Sequence, residues 1–367
     1  VGESDIVLPL IEFKNQNCII HYDIPGLIYW MLTRLEEIGC KDLDVHQRFS
    51  STSSHAYKHN YLDRPIVDEW LHLLGQVIKI QWPKIILKQH TGNTIVSCDV
   101  DSPFTFDGSW NKLIRRLVGD LIKRRSFKSV METLLGSCYA SLGNYKFDSD
   151  RKGIDYIMDV NENLGRSVAF YFIPELTDPT YDGKPGLQDP RMVKIFQEIH
   201  HRGHEIGIHP GYNTYSNSLN MERSVKTFRR ALENAGIKQE RIGGRQHFLR
   251  WQTPTTACLW EVNGLDYDTT LSYADRPGFR CGSCFEYPMF DPVKQKILRL
   301  RQRPLIIMES SVIADHYLGL GYSDQALNLM RKYRDTCHDF GGNFCILWHN
   351  SHFKNEKDKQ FYQDIVK

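Results

Sequence analysis

Two acidic residues follow one of the most apolar runs of the chain. The run 94–98 leads into Asp99 and Asp101, which are two residues apart, so on an extended backbone both carboxylates point to one face. Two carboxylates held together repel each other unless a cation or a proton lies between them. This pair therefore indicates metal binding, acid–base chemistry, or both.

A histidine occupies a comparable position on a second apolar run. His209 follows the alternating Ile206 and Ile208, and Pro210 and Gly211 turn the backbone directly after it. The pattern predicts a short buried strand with the histidine at its C-terminal end, where ligands bind in barrel and open α/β folds. A hydrogen-bonded structural role is the alternative for a histidine in this place. The acidic pair on a separate run favours a site.

Further polar residues lie at or just after other predicted strand ends. Arg245 and His247 are again two apart, Asp268 follows a glycine-terminated helix pattern, and His349 follows an apolar run. Each of them alone is more typical of a structural residue than of a catalytic one. Five such positions on separate strand–helix units are what the active site of a barrel requires.

From about residue 91 onwards, strand patterns alternate with helix patterns, and these elements must position the residues above. Strand patterns cover 94–98, 167–173, the run into His209, 241–249, 304–308 and 344–348. Helix patterns cover parts of 110–142 and then 152–164, 189–201, 220–235, 255–263 and 324–340. Repeated strand–helix units predict an α/β fold with a parallel sheet or barrel and the helices outside.

Residues 1–90 do not show this regular alternation of strand and helix patterns. Strands are predicted at 6–10 and 18–20, helices at 25–39 and from Arg64 onwards, and a loop at 50–61. This section contains no cluster of nucleophilic or metal-ligating residues. We predict a small α/β domain over residues 1–90 and the chemistry-bearing domain over residues 91–367.

Composition narrows the class of protein. Apolar residues make up 41% and charged residues 25%, as in an ordinary globular protein. A formal charge of +2 argues against a nucleic-acid partner held by phosphate neutralisation. The basic run 115–125 carries apolar residues at helical spacing, which favours a solvated helix face over a membrane-surface role. No apolar stretch approaches the ~18 residues that span a bilayer.

The cysteines predict the compartment. Nine cysteines without framework spacing indicate reduced thiols and a cytoplasmic setting. Cys281 and Cys284 have the spacing of a redox motif, but they do not open a helix after a strand, so we interpret them as incidental. The sequence does not indicate an oligomeric state.

The order of these residues resembles that of the motifs of the polysaccharide deacetylase family (NodB homology, carbohydrate esterase 4-like). The resemblance covers residues 91–367, and its most specific part is Gly-His-Glu-Ile-Gly-Ile-His at 203–209. It implies a distorted (β/α)7-type barrel. Residues 64–70 are similar to part of a wing domain that precedes the barrel in a bacterial subgroup of the family.

The resemblance also implies roles for individual residues. It makes Asp99 the general base, Arg245 the partner of that base, Asp268 the acid that orients the last histidine, and His349 the general acid. Asp101 and His209 become ligands of a divalent metal. The stretch 105–108 imitates part of the first motif, but it is predicted to lie in a turn rather than at a strand end.

The third metal ligand is where the chain departs from the family pattern. The family places a second metal histidine four residues after the first, and Asn213 stands there in this chain. A catalytic zinc usually keeps three protein ligands, and a neutral amide is a poor zinc ligand beside imidazole. His247 is the better candidate, with hydrogen bonding to substrate or to a carboxylate as its alternative role. Histidine and carboxylate ligands favour zinc, with cobalt, nickel and iron left open.

The function implied is metal-dependent removal of acetyl groups from N-acetylated sugars or polysaccharides, with a carbohydrate as partner. Two alternatives remain open at this point: a non-catalytic carbohydrate-binding protein on the same fold, and a hydrolase of a non-sugar C–N bond. Aromatic residues near the predicted rim would stack on sugar rings in either carbohydrate interpretation; they are Tyr212, Tyr215, Phe248, Trp251 and Trp348.

Overall fold

A computed structural model describes residues 10–14, 17–105, 113–114, 117–118, 127–141, 145, 147–183 and 186–367. The strand predicted at 6–10, the basic run 115–125 and the 105–108 motif lie wholly or largely outside these residues. None of the helices within them is long and apolar enough to cross a bilayer.

The first part of the chain forms a two-stranded ribbon and three helices. Strands β1 (Ile11–Lys14) and β2 (Asn17–Ile20) pair antiparallel. Helices α1 (Ile24–Leu32), α2 (His55–Lys58) and α3 (Ile66–Gln81) follow. The strand predicted at 18–20 and the helix predicted after Arg64 are confirmed.

Two predictions in this part are wrong in detail. The helix predicted over 25–39 ends at Leu32 because Arg34 adopts a left-handed backbone with φ of 56°. The loop predicted over 50–61 contains α2, whose first turn is capped by the hydroxyl of Ser54 accepting from the backbone N–H of Tyr57.

The rest of the chain is built on a nine-stranded sheet. Its strands are β3 (Asn93–Val100), β4 (Val168–Phe172), β5 (Glu205–Ile208), β6 (Gly243–Gly244), β7 (Tyr267–Asp268), β8 (Tyr287–Asp291), β9 (Lys296–Gln302), β10 (Ile307–Met308) and β11 (Asn343–Leu347). They are ordered β10-β11-β3-β4-β5-β6-β7-β9-β8, and every neighbouring pair is parallel except β8 with β9. Strands β10 and β8 are the two ends of this order, so the prediction is confirmed as an α/β fold with a large, mainly parallel sheet, not as a closed barrel.

Helices alternate with the strands of this sheet. They are α4 (Phe127–Ser141), α5 (Ser149–Glu162), α6 (Pro190–His201), α7 (Ser218–Asn234), α8 (Thr255–Val262), α9 (Glu309–Ile313), α10 (Asp324–Asp339) and α11 (Glu356–Val366). In α6 the buried residues recur at helical spacing, at Met192, Ile195, Phe196 and Ile199. Strand β4 is buried throughout, as expected for a parallel strand covered on both faces.

The segment after β6 departs from the predicted strand 241–249. Only two residues pair as a strand, and a 3-10 turn over His247–Leu249 follows. Phe248 and Leu249 adopt φ of 61° and 54°. The backbone N–H of His247 donates to the carbonyl of Pro210, so the chain bends towards the end of β5 instead of continuing the sheet.

Contacts join the first part of the chain to the sheet domain. Glu37 is buried and accepts hydrogen bonds from Arg34 (2.9 Å) and from two nitrogens of Arg280 (2.9 Å each). Burial alone would raise the pKa of the Glu37 carboxyl, but the two guanidinium groups lower it to about 2. This charge cluster therefore ties the two parts together, while the boundary at residue 90 stays a prediction.

The cysteine pair lies at the same junction. Buried Asp68 of α3 accepts from the Ser283 hydroxyl (2.7 Å) and from the backbone N–H of Cys284 (2.8 Å). Burial raises the pKa of the Asp68 carboxyl to about 6. Cys281 and Cys284 are buried free thiols, and their segment packs against the first part of the chain.

Replacing Glu37 by Gln should destabilise the fold. The change leaves the buried guanidinium groups of Arg34 and Arg280 without their counter-charge, which typically costs about 3–5 kcal/mol. Because the pKa of Glu37 is depressed from 4.5, its stabilisation is present above pH 4.5 and is lost as pH falls from there towards 2. Urea unfolding across this pH range measures both effects.

The matched control is Glu12→Gln, because Glu12 forms a surface ion pair with Lys14. Loss of an exposed pair should change stability by less than about 1 kcal/mol. Equal urea midpoints for Glu37→Gln and Glu12→Gln would contradict the role given to the buried cluster.

Candidate active site

The C-terminal ends of neighbouring parallel strands bring the predicted residues together. Asp99 and Asp101 lie at the end of β3, His209 follows β5, and His349 is the second residue after β11. Arg245 and His247 follow β6. Because β11, β3, β4, β5 and β6 are consecutive in the sheet, their carboxyl ends share one edge.

Arg245 organises one side of this group. Its guanidinium is fully buried and donates to Asp99 Oδ1 (2.6 Å), to Ser97 Oγ (2.8 Å) and to the Thr269 carbonyl (3.0 Å). The other carboxylate oxygen of Asp99 lies 3.7 Å from His209 Nε2. The arginine therefore orients Asp99 and supplies its counter-charge in a buried place.

Asp101, His209 and His247 form a compact set of possible metal ligands. One ligand atom of each lies within 4.8 Å of the others. Asp101 Oδ1 is 3.4 Å from His209 Nε2 and 3.7 Å from His247 Nε2. Ligands at about 2.0–2.1 Å from a tetrahedral zinc are about 3.3 Å apart, so these separations need little adjustment.

Hydrogen bonds orient both imidazoles towards Asp101. His209 Nδ1 donates to the carbonyl of Arg245 (2.6 Å), and His247 Nδ1 donates to Asp182 Oδ1 (2.8 Å). Each Nε2 then carries the lone pair that a metal needs, an arrangement typical of metal-ligating histidines. Asp101 Oδ1 is buried and has no hydrogen-bond partner among the described residues. A divalent cation fits these donors and would satisfy the orphaned oxygen.

The charges of this set reinforce one another. Burial alone would raise the pKa of the Asp101 carboxyl, but His209, His247 and His349 hold that pKa well below its ordinary value. Burial alone would lower the pKa of His209, but Asp99 and Asp101 raise it. The set is therefore strongly attractive to positive charge.

Asp182 is a site residue that sequence reasoning missed. Its carboxylate accepts from the backbone N–H groups of Thr177 (2.7 Å), Asp178 (2.9 Å) and Tyr212 (2.7 Å), as well as from His247. Burial opposes its ionisation, but these donors lower the pKa of Asp182 overall. It lies in a loop outside any strand pattern, so no periodicity signal marks it.

His349 has a different partner from the one expected. Its Nδ1 is hydrogen-bonded to Glu309, a fully buried carboxylate, and its Nε2 lies 3.7 Å from Asp101 Oδ2. Burial alone would lower the pKa of His349, but Glu309 raises it to about 10. The imidazole therefore carries a proton that faces the ligand set.

Asp268 does not contact His349, which corrects the expected pairing. Its oxygens accept from the backbone N–H (2.8 Å) and hydroxyl (2.5 Å) of Thr270, and burial raises its pKa to about 7. The strand order explains the difference, because Glu309 follows β10, the neighbour of β11, whereas Asp268 ends the more distant β7. Glu309 also stands directly after the predicted strand 304–308, so the strand-end criterion would have selected it.

Glu309 and His349 also belong to a second group of residues of metal-ligand type, which includes His352. Glu309, His349 and His352 have ligand atoms within 4.8 Å of one another, with His352 Nδ1 3.5 Å from Glu309 Oε1. A direct hydrogen bond joins Glu309 Oε1 to His349 Nδ1, while Glu309 Oε2 is buried without a hydrogen-bond partner among the described residues. We interpret this group as a proton-holding arrangement.

Asn213 is engaged elsewhere. Its amide oxygen accepts from Arg250 (3.2 Å), and its amide nitrogen donates to the Thr177 carbonyl (3.1 Å). The five predicted rim aromatics take different places. Trp251 and Trp348 belong to the buried core. The Phe248 ring packs against His247, buried Tyr212 packs against Phe248, and the Tyr215 ring lies under Arg250.

Comparisons with known proteins match only parts of the chain or match it weakly. Residues 4–83 match a family described as "Family of unknown function (DUF7033)". No curated protein matches the chain. Among solved structures, a candidate polysaccharide deacetylase from Mycobacterium smegmatis is 16% identical with a TM-score of 0.48, covering 77% of this chain and 86% of that one. The allantoinase Puue is 13% identical with a TM-score of 0.46, covering 76% and 87%.

Replacing His247 by Ala should weaken zinc binding much more than replacing Asn213 by Ala. Loss of a group that only orients a ligand costs about 10–100-fold in metal affinity, and loss of a ligand should exceed that. The Asn213 amide is already hydrogen-bonded to Arg250 and Thr177. Its removal should therefore lower the metal affinity by less than about tenfold. Competition with a chromophoric chelator measures both affinities.

Circular dichroism of both variants controls for loss of fold. An unchanged affinity in His247→Ala would remove His247 from the ligand set. A larger loss in Asn213→Ala would reverse the assignment.

Proposed function

We propose that this protein is a metal-dependent hydrolase of amide C–N bonds that removes acetyl groups from N-acetylated sugars. One observation carries the proposal. The buried, unpartnered Asp101 Oδ1 lies between two imidazole nitrogens that are held in position from behind. An arginine-bound carboxylate, Asp99, flanks the set on one side and a carboxylate-bound histidine, His349, on the other.

Asp101, His209 and His247 are the residues that would hold the cation. When bound there, a divalent metal polarises a carbonyl oxygen and makes water more acidic. Two imidazoles and one carboxylate are the ligand types of catalytic zinc sites, which keep further positions open for water and substrate. Zinc is therefore the metal we propose.

Asp99 is the residue that we propose as general base. Arg245 binds one oxygen of its carboxylate, and the other oxygen lies 3.7 Å from His209 Nε2. As the oxygen of a water molecule forms a bond with the amide carbonyl carbon, Asp99 accepts the proton that the water loses.

His349 is the residue that we propose as general acid. Glu309 favours its protonated form and fixes the ring so that Nε2 is the proton-bearing atom nearest the ligand set. As the C–N bond breaks, His349 donates this proton to the departing nitrogen. The products are acetate and a free amine.

The arrangement favours an enzyme over a protein that only binds carbohydrate. A binding protein gains nothing from two ionised pairs, Asp99 with Arg245 and His349 with Glu309, aimed at one small space, because burying them costs free energy. The choice of an acetylated sugar over another amide rests on the order of the motif residues in the sequence.

Metal analysis combined with an acetate-release assay tests the proposal. We expect about one zinc per chain after purification and acetate release from oligomers of N-acetylglucosamine, both lost on treatment with a strong chelator. A metal-free protein that still binds these oligomers would favour the carbohydrate-binding alternative. Release of ammonia or another amine only from non-sugar amides would favour the other hydrolase alternative.

Replacing Asp99 by Asn should separate catalysis from metal binding. The variant should keep its zinc and lose turnover by roughly 10²–10⁴-fold, as is typical for loss of a positioned base. Asp335→Asn, at a side chain that is 60% exposed, is the matched control. If Asp99→Asn loses the metal while Asp101→Asn keeps it, the roles of the two carboxylates are reversed.

Replacing Glu309 by Gln should slow turnover much more than replacing Asp268 by Asn. Glu309→Gln removes the charge that keeps His349 protonated, and we expect a loss in kcat of roughly 10²-fold or more. The loss should be smallest for substrates whose amine leaves easily, because these need less help from an acid. Asp268→Asn removes a carboxylate that bonds Thr270, so a larger effect there would restore Asp268 as the partner of His349.

A further inference from the structure

The first part of the chain contributes a tight turn to the edge of the site. The carboxylate of Asp44 accepts from the backbone N–H groups of His46 and Arg48 (2.9 Å each), and the N–H of Asp44 donates to the carbonyl of Arg48 (2.9 Å). An aspartate that folds the backbone back on itself in this way makes a well-defined turn. The turn 44–48 therefore presents His46 in a fixed position.

This turn binds the segment that carries His247. Arg48 donates to the carbonyl of Phe248 (2.9 Å), and Arg250 donates to the carbonyl of His46 (2.8 Å). Phe248 and Leu249 have the left-handed backbone conformation noted above, which is strained for residues other than glycine. Hydrogen bonds from the turn thus help to hold a strained segment next to a proposed metal ligand.

Four rings meet at this place and form what we call the aromatic wall: His46, Tyr181, Tyr212 and Phe248. Tyr181 stacks on Tyr212 with centroids 4.3 Å apart, and His46 packs against Phe248 (4.9 Å) and Tyr181 (5.3 Å). His46 Nδ1 is hydrogen-bonded to the Tyr212 hydroxyl (2.9 Å). The wall adjoins the ligand set, because the Phe248 and His247 rings pack edge to face with their centroids 4.8 Å apart.

Three members of the wall are open to solvent in part, whereas Tyr212 is buried. Tyr181 is 39% exposed, and His46 and Phe248 are half-buried. Tyr181 and Phe248 are direct chain neighbours of Asp182 and His247, so the backbone segments that position His247 also position the wall. Aromatic faces rimmed by imidazole and phenol groups match a ring that has an apolar face and a hydroxylated edge.

We propose that the turn 44–48 is part of the substrate site, and that His46 completes an aromatic wall that binds the sugar ring bearing the scissile amide. This inference rests on the proposed function and deepens it, because it assigns the recognition of the sugar to the wall and the chemistry to the ligand set. It also makes the first part of the chain a component of the enzyme's specificity.

The test measures binding without turnover. In the Asp99→Asn background, isothermal titration with the β-1,4-linked tetramer of N-acetylglucosamine should show affinity about three- to tenfold weaker after Tyr181→Ala or His46→Ala, the range expected for loss of one ring contact. His46→Phe, which keeps a ring, should stay within twofold of the parent. Zinc content should be unchanged in all of them, which a general loss of structure would not allow.

Tyr57→Ala is the matched control. Tyr57 is 37% exposed, lies in the same part of the chain, and its ring contacts Arg276 rather than the wall. The Tyr57→Ala variant should bind the tetramer with the same affinity as the parent protein. In turnover assays with Asp99 restored, the wall variants should raise KM by the same factor and leave kcat within twofold.

The outcomes separate this inference from the proposed function. Acetate release with equal tetramer affinity in parent, Tyr181→Ala and His46→Ala would overturn the wall and leave the hydrolase. Tetramer binding that weakens in the wall variants, without acetate release by the wild type, would support the wall and overturn the hydrolase. A parent that does not bind the tetramer would overturn the wall as a sugar site.

Discussion

The buried guanidinium of Arg245 is the interaction on which the rest of the site depends. A positive charge with no access to solvent must be matched by acceptors, and Arg245 finds them on β3, at Asp99 and Ser97, and on the residue after β7, at Thr269. Its own carbonyl accepts from His209 Nδ1. Arg245, which follows β6, therefore links the ends of β3, β5 and β7 and sets the orientation of both a carboxylate and an imidazole.

The histidines follow the same logic. In each ring Nδ1 is hydrogen-bonded to a fixed partner: His209 to the Arg245 carbonyl, His247 to Asp182 and His349 to Glu309. The Nε2 atom of each ring faces Asp101. Holding a ring at one nitrogen fixes both its tautomer and its direction. Donors and acceptors held in place in advance are usually the largest contribution to polar catalysis, and the proposed function relies on this property.

The first part of the chain has a structural connection to this arrangement as well as a separate junction with the sheet domain. The Glu37–Arg280 cluster and the Asp68–Cys284 contact fasten it at one place, and the turn 44–48 reaches the segment after β6 at another. The segment 281–284 has the cysteine spacing of a redox motif, but in the structure it belongs to the junction between the first part of the chain and the sheet domain. A paired spacing of cysteines carries chemical meaning only where the fold exposes the thiols.

The amino-acid sequence by itself determined the alternation of strands and helices, because buried parallel strands and amphipathic helices leave their periodicity in the chain. It also marked Asp99, Asp101, His209, Arg245, His247 and His349, since each follows an apolar run that had to be a strand. The predicted strands 241–249 and 304–308 are shortened to the two-residue strands β6 and β10. This shortening and the bend at Phe248 depend on contacts with distant residues, such as the His247 N–H with the Pro210 carbonyl. Tertiary structure alone decided that Glu309, not Asp268, binds His349, because only the sheet order makes β10 the neighbour of β11. It alone brought Asp182 to His247 and His46 to Phe248, since both come from loops whose place is set by packing rather than by periodicity.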